Sequence, residues 1–555
     1  GSLCSSCLPP LLKTCCVPVG WRIPFEMPID INSLREDRGG DPATVLRDQK
    51  KRFKPDAEEL VSKLLQLDRT WREEITRARD LQTQLNRIQK EVIAPLKKQK
   101  KPCDAEVAEA ERIRQEIKQL EAEHVLCEQK RDEELCKLGN VVDESVPVSN
   151  DEADNLVVSV WPTQSLTLPS RVADMPCQFQ QTASLSHDDL LWRIGGYDPE
   201  RGSKVAGPRG YFLRDVGVLL NQALINFALT FLRSRGYRAV QPPYFMKKEL
   251  MAGVAQLSDF DEQLYKISVG TGMPEEVADK DKYLIATSEQ PLCALHAKEI
   301  LDDKDLPLRY AGISTCFRKE VGKANKDNRG IFRVHQFEKV EQFCITSSLE
   351  ESRKMHSEML QCAEDFHREL GISFRVVNVV SGELNDAAVM KYDLEGWFPG
   401  LGQYRELVSC SNCTDFQSRA LDIRCRHAEQ PSGTSHVHML NSTLTATGRA
   451  MCCILENYQT QEGVRVPDVL VPFMGGEAFL PFIHNPRECE GEFHHKPPQS
   501  AAAAPSRLDE LEAKLLHQPY VEGFRPSKAD AATLREFQHE QIEEEKFPNF
   551  VRWRN

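Results

Sequence analysis

From Leu64 onward the apolar residues fall at Leu67, Trp71, Ile75, Ala78, Leu81, Leu85, Ile88 and Val92, separated by polar ones. Steps of three and four keep one face of a helix apolar and predict the seam of an antiparallel coiled coil. Pro95, then Lys97, Lys98, Lys100, Lys101 and Pro102, predict the end of that helix and a basic turn. A second helix is expected to return through Ala110, Ile113, Ile117 and Leu120 to Leu135 and Leu138, closed by Gly139 as a C-terminal cap. About 40 residues at about 1.5 Å each would carry the tip roughly 60 Å from its base. A dimerisation or scaffold hairpin would have this pattern. Arg69, Arg72, Arg77, Arg79, Arg87 and Lys90 on the outbound helix also suit contact with phosphates without reading of bases.

Beyond residue 150 the periodicity changes. An apolar helix around Leu219–Leu232 leads through Gly236 to a strand, Tyr237–Val240, that stops at Pro242 and Pro243. Two strands flank a polar loop within 306–344, further strands lie in 403–424, and an apolar helix covers 447–460. Strands that follow one another without helical crossovers predict an α+β fold built on an antiparallel sheet. The expected organisation is a disordered extension over 1–27, the helical arm over 28–150, the large α+β unit over 151–490, a Pro- and Ala-rich linker over 491–505, and a small helical unit over 506–555.

Composition narrows the classes. A chain of 555 residues, 40% hydrophobic and 28% charged, has room for several units and a large core. Its net charge of -13 argues against nucleic-acid binding through bulk positive charge, so any RNA contact must come from local basic patches, and DNA is not expected as a partner. No run of about 18 apolar residues suggests a bilayer span, so no membrane contact is expected. The 18 cysteines are scattered through apolar segments and read as reduced, mostly buried thiols. Residues 1–26 hold Cys4, Cys7, Cys15 and Cys16 with four prolines that would break a targeting helix, and Met27 reads as an ancestral start. Palmitoylation or an organelle signal is the alternative for this segment.

Several chemical motifs fail. No G-x-x-x-x-G-K-[ST] occurs, which excludes a P-loop as an ATP site. Gly270-Thr-Gly272 lacks the third glycine of a dinucleotide motif. Cys410-x-x-Cys413 has no second pair nearby, and Cys425 stands isolated, so structural zinc is not expected. The informative stretch is Thr315-Cys-Phe-Arg-Lys-Glu320, a loop to Gly330, then Ile331-Phe-Arg-Val-His-Gln-Phe-Glu-Lys-Val-Glu341. On a strand, alternate residues share a face, which groups Arg318 with Glu320, and Arg333, His335 and Phe337 with Glu341. A guanidinium fork can neutralise a phosphate and an aromatic plate can stack on a purine. A solvated hairpin with ordinary salt bridges would show the same residues.

The segments together say more than any one of them. The helix near Leu220, the strand ending at Pro243, the F-R-x-E hairpin and a final helix with arginine near its start resemble, in order, the three signature motifs of class II aminoacyl-tRNA synthetases. Ala286-Thr-Ser-Glu289, Phe317-Arg-Lys-Glu320, Val334-His-Gln-Phe337, Glu406-Leu-Val-Ser-Cys-Ser-Asn-Cys-Thr414 and Ile454-Leu-Glu-Asn-Tyr-Gln459 are similar to eukaryotic cytosolic seryl-tRNA synthetases, and the resemblance runs from about Ile29 to Leu480. It implies a class II sheet with flanking helices and an ATP-dependent serine–tRNA ligase that makes seryl-adenylate and passes serine to tRNA. Arg318, Glu320 and Arg449 would carry the catalysis. ATP would lie on Arg318, Lys319, Glu320, Val334, His335, Gln336, Phe337, Glu406, Leu407, Val408, Ser409 and Arg449, and Mg²⁺ on Glu406 and Ser409. Serine would be held by Thr287, Glu289, Arg318, Glu341 and Asn441. Lys319 departs from the glutamine often found at its position, whereas Gly448 before Arg449 fits the small residue common there. The resemblance also implies a cytoplasmic homodimer that charges serine tRNA and selenocysteine tRNA, gripping the tRNA by the arm, with Arg72, Arg79, Lys97 and Lys98 as candidate contacts.

The C-terminal unit is of another kind. Leu508-Asp-Glu-Leu-Glu512, Tyr520-Val-Glu-Gly523, Pro526-Ser-Lys-Ala-Asp530 and Val551-Arg-Trp553 resemble the small helical domain that opens the beta subunit of translation elongation factor one, a relative of the C-terminal half of glutathione transferases. Ser527 with Asp530 is a helix N-cap box. The resemblance implies docking onto a translation-factor or multi-synthetase complex; an inert appendage is the alternative.

Overall fold

The computed structural model describes residues 28–162, 184–255, 263–267, 281–320, 330–427 and 433–486. Residues up to Pro486 form one compact unit and Arg487–Asn555 a second. The extension 1–27, Gly270-Thr-Gly272, the linker and the C-terminal unit lie outside the described residues.

Two long helices build the arm. Helix α1 (Pro42–Lys51) begins with Pro42 in its first turn and Asp41 as cap, whose carboxylate accepts the Ala43 N–H. Helix α2 (Ala57–Arg87) runs outward and α4 (Asp104–Leu135) returns. Pro95 does not stop the outbound helix, contrary to the sequence expectation. The chain widens into a π-helical turn over Ile88–Ile93, in which Ala94 N–H bonds Gln89 O, and continues as α3 (Ala94–Lys98). A proline inside an α-helix collides with the carbonyl four residues back, and the wider turn relieves that collision. The extra residue also moves the seam: Val92, expected inside, is 38% exposed, and Ile93 takes its place at 9%. Gly139 is a second correction. Cys136 caps α4. Gly139 is instead clamped by Gln49, whose amide accepts its N–H and donates to its carbonyl, both at 2.9 Å.

The base of the arm holds a buried carboxylate. Asp68 receives Arg35 (2.9 and 2.5 Å), Arg72 (3.2 Å) and Arg131 (3.6 Å), and the Arg131 guanidinium lies 4.6 Å over Trp71. A buried charge is tolerated only with such partners.

The larger part of the described residues is built on an eight-stranded sheet. Its strands are β1 (Leu156–Trp161), β2 (Arg238–Val240), β3 (Leu308–Phe317), β4 (Gln336–Thr346), β5 (Phe374–Asn378), β6 (Met390–Phe398), β7 (Gln403–Thr414) and β8 (His438–Ala446). Their order is β1-β5-β6-β7-β8-β4-β3-β2, antiparallel except for the edge pair β2–β3. Helices α5 (Asp215–Ser234), α6 (Leu349–Glu369) and α7 (Thr447–Asn457) share one core with the sheet, in which Phe227 of α5 stacks on Phe366 of α6 at 5.1 Å. Helix α5 is long and apolar enough to cross a bilayer. Here Leu220, Ala223, Leu224, Ala228 and Leu232 are at most 1% exposed and pack as core. Along β4 the alternation is strict. Val340 and Gln342 face the helices, Gln342 donating to Met359 O, while Phe337, Lys339 and Glu341 face the other way.

Candidate active site

The face of the sheet turned away from the helices carries a cleft of about 1000 Å³, measured to its open mouth. Central strands β4, β7 and β8 supply its floor, and the start of α7 supplies one wall through Gly448 and Arg449.

Two irregularities in the sheet decide which side chains reach the cleft. On a regular strand Glu406 and Ser409 would point to opposite faces, being three residues apart. In β7 Leu394 pairs with Val408 but Glu395 pairs with Glu406, so Leu407 is an extra residue and the alternation flips there. Glu406, Ser409 and Ser411 consequently all line the cleft. A second bulge at Leu444 in β8 brings Asn441, Thr443 and Ala446 to the same side.

One end of the cleft is acidic and deep. Glu341, 2% exposed, accepts Thr287 Oγ1 (2.5 Å), Ser288 Oγ (3.1 Å) and Lys339 Nζ (2.9 Å), all on Oε2. Glu289 opens a short helix, Glu289–Cys293, and its Oε1 accepts Gln417 Nε2 (2.7 Å) and Asn441 Nδ2 (3.0 Å). Burial, and next the charge of Glu341, push the Glu289 carboxyl up to about 7 against the opposing pull of Gln417, Lys339 and Arg318. An acidic pair of this kind attracts a small cation.

The other end is basic and aromatic. Arg318 follows β3, its Nε 3.4 Å from Ala286 O and its guanidinium 5.3 Å from the Phe337 ring. Arg449 lies 5.0 Å over Phe332 and 3.3 Å from Glu406. Burial raises the Glu406 carboxyl, but Arg449, Lys391 and Arg318 together hold it below the usual range. Glu320 stands in the left-handed region (φ 44°) with Arg333 at 2.5 Å and Arg209 donating to its carbonyl at 2.7 Å.

Of the residues expected at the site, Thr287, Glu289, Arg318, Glu320, Val334, Phe337, Glu341, Glu406, Leu407, Ser409, Asn441 and Arg449 converge on this one cleft. Lys319, His335, Gln336 and Val408 are not among its lining residues. Val408 is fully buried in the core, on the opposite parity from Ser409. Strand alternation groups His335 with Phe337 only where the strand runs through both. However, β4 begins only at Gln336, and the His335 ring turns to Tyr265 OH (3.1 Å) and Arg318 O (3.0 Å). Sequence reasoning missed Phe332 and Lys339. Strand alternation from Phe337 and Glu341 gives Lys339 directly, but Phe332 lies before the strand and carries no such signal.

In the arm, Lys97 and Lys98 are exposed on α3 and Arg79 on α2. Arg72 is tied to Asp68 and Asp37 at the base. Cys425, isolated in the sequence, comes together with Asp303 and His427, with ligand atoms within 4.8 Å, outside the cleft.

Residues 29–142 match the seryl-tRNA synthetase N-terminal domain, and residues 265–458 the class II core domain of the synthetases for G, H, P, S and T. The chain is 47% identical over 460 residues to the cytoplasmic serine–tRNA ligase of Arabidopsis thaliana, covering 82% of this chain and 97% of that protein. It is 49% identical over 459 residues to the cytoplasmic serine–tRNA ligase of Dictyostelium discoideum, covering 82% and 96%. Among solved structures, the cytoplasmic serine–tRNA ligase of Naegleria fowleri in complex with AMP superposes with a TM-score of 0.70 at 45% identity, covering 82% and 99%. The seryl-tRNA synthetase of Pyrococcus horikoshii complexed with ATP superposes with a TM-score of 0.72 at 38% identity, covering 82% and 100%. With both its arm and its core matched over nearly the full length of these relatives, the chain belongs to the seryl-tRNA synthetases.

Proposed function

We propose that this chain activates serine with ATP and transfers it to tRNA in the cytoplasm. The observation that carries this reading is the polarity of the cleft, with an acidic end fitted to a small hydroxylated ammonium compound and a basic, aromatic end fitted to a nucleotide. The serine carboxylate attacks the α-phosphorus of ATP, pyrophosphate leaves, and a terminal ribose hydroxyl of the tRNA then attacks the seryl carbonyl. Arg318 neutralises charge on the α-phosphate and serine carboxylate, Phe337 and Arg449 bracket the adenine, and Glu320 with Val334 positions it. Lys319, His335, Gln336 and Val408 contribute through backbone or neighbouring contacts only. Glu289 with Thr287 takes the ammonium, and Glu341 with Asn441 takes the hydroxyl. Positioning and charge neutralisation carry most of the rate.

The oxygen donors fit Mg²⁺, which would be held by Glu406 and Ser409. Asp393 stands opposite Ser409 on β6, mostly buried behind the pair, with Lys391 Nζ 3.8 Å from its Oδ2. When bound, the ion would offset phosphate charge as pyrophosphate departs.

Phe212, just before α5, and Val218 and Leu219 in its first turns are 41–47% exposed, apolar side chains that a second copy would cover. A homodimer would let one arm, through Arg79, Lys97 and Lys98, reach tRNA held by the partner. Serine tRNA and selenocysteine tRNA are the proposed acceptors, and the C-terminal unit a docking module.

Pyrophosphate exchange with serine, alanine and threonine in turn tests the reading. Exchange should depend on serine, with the other two far behind, and Arg318→Ala should lower it by about 100-fold or more. No exchange with serine, or equal exchange with alanine, would refute it.

A further inference from the structure

The cleft and the base of the arm share one short loop. Arg52, just past α1 and 6% exposed, donates from Nε to Asn140 O (2.8 Å), from Nη1 to Asn385 O (3.0 Å), and from Nη2 to Ala388 O (2.5 Å) and Val141 O (3.4 Å). Asn140 grips the same loop from beside it. Its N–H bonds Asp386 O (2.7 Å), and its Nδ2 bonds Ala387 O (2.9 Å), Cys413 O (3.0 Å) and Thr414 Oγ1 (3.0 Å). Lys54 pairs with Asp386 at 2.8 Å. A Cβ on Gly139 would come within 2.9 Å of Asp386 Oδ1 and 2.8 Å of Arg52 Cδ, so a side chain here would have to displace the clamped Arg52.

The loop ends inside the site. Asn385 is exposed and lines the cleft. Its own Oδ1 accepts the Ala388 N–H at 2.9 Å, which aims the amide and leaves its NH₂ as a donor. Neighbouring Cys413 Sγ accepts Asn441 Nδ2 (3.5 Å), and Asn441 donates to Glu289, so the loop stands at the acidic end. In the proposed reading the seryl carbonyl sits at Arg318, between the acidic pair and the phosphates, and Asn385 lines the same cleft on the side of the acidic pair, where its NH₂ can meet an incoming hydroxyl.

We propose that Arg52 is a positioning residue for the transfer step: through the loop 385–388 it sets the Asn385 amide at the rim of the serine end, which makes the base of the arm part of the transfer site. The inference rests on the proposed ligase function. A buried guanidinium held by four carbonyls from both sides of a junction fixes that junction in one geometry. A displacement of about 1 Å at a reacting centre costs up to about 100-fold in rate.

The test uses the full chain with a serine tRNA transcript and measures two rates: serine-dependent pyrophosphate exchange, and single-turnover transfer from preformed adenylate. Arg52→Met and Asn385→Ala should each slow transfer by about tenfold or more while exchange changes less than about threefold. Because Arg52 acts through Asn385, the double variant should transfer no more slowly than either single one. Its Tm should still fall by the full Arg52→Met amount, and Arg52→Lys should restore part of the transfer rate. Equal losses in both steps, or additive transfer losses, would overturn the proposal and leave Arg52 a purely structural residue. Should Arg52→Met fail to fold, Lys54→Ala leaves the Arg52 clamp in place and removes the Asp386 pair together with the Lys54 bond to Lys137 O. A transfer-selective loss there supports the relay, and an unchanged ratio of the two rates sinks it. Absence of serine-dependent exchange in the unaltered chain would instead refute the ligase reading itself.

Discussion

Single residues set the chemistry of the cleft through their neighbours. Glu289 shows this best, because burial and the adjacent Glu341 bring its carboxyl to about 7. A group raised above its unfolded value of 4.5 favours the neutral form in the folded protein, so the empty site loses stability as pH rises through about 7. An ammonium ligand needs the ionised form and repays that loss. Serine KM is therefore expected to rise as pH falls from 8 to 6, approaching about tenfold per pH unit below 7, while the KM for ATP changes little. Thermal shift by serine should be larger at pH 8 than at pH 6. A flat serine KM across that range would remove Glu289 from ammonium recognition. Lys339 and Phe332 belong at the same scale: one is found by counting along β4, the other only by seeing which ring lies beneath Arg449.

At the scale of elements, irregularities do the placing. The π-turn at Ile88–Ile93 accommodates Pro95 and passes the seam from Val92 to Ile93. Ile93→Ala is therefore expected to cost about 1–3 kcal/mol locally and to speed amide exchange in the outer third of the arm, whereas Val92→Ala should stay within about 0.5 kcal/mol. Equal effects of the two would mean that the seam is not shifted. The bulge at Leu407 acts similarly in the sheet by turning Glu406 and Ser409 to one face. Neither feature is visible in an apolar pattern, because each is a departure from the period on which such patterns rest.

For the whole molecule, the proposed reading divides the work between the arm and the cleft. Excising residues 78–117 with a short Gly-Ser closure keeps the Asp68 cluster and the Arg52 junction while removing the distal arm. Serine-dependent pyrophosphate exchange should remain within about threefold, and tRNA charging should fall by about 100-fold or more if the arm supplies the proposed phosphate contacts. Equal loss of both activities in a folded variant would show that the arm serves activation as well. The Arg52 junction explains why the cut must spare the base.

The sequence by itself determined the two-part architecture, the antiparallel sheet, the arm and the family. These rest on periodicity and on contiguous segments such as Phe317-Arg-Lys-Glu320 and Val334-His-Gln-Phe337, which local spacing preserves. It also named most of the cleft, from Thr287 to Arg449, through that resemblance. Only the tertiary structure decided which parity each strand presents after a bulge, that His335 turns to Tyr265, that Gly139 seats Arg52 instead of capping a helix, and that Asn385 reaches the cleft from beside the arm. Those outcomes depend on contacts between residues far apart in the chain, such as Arg52 with Ala388, and no local pattern encodes a partner over 300 positions away.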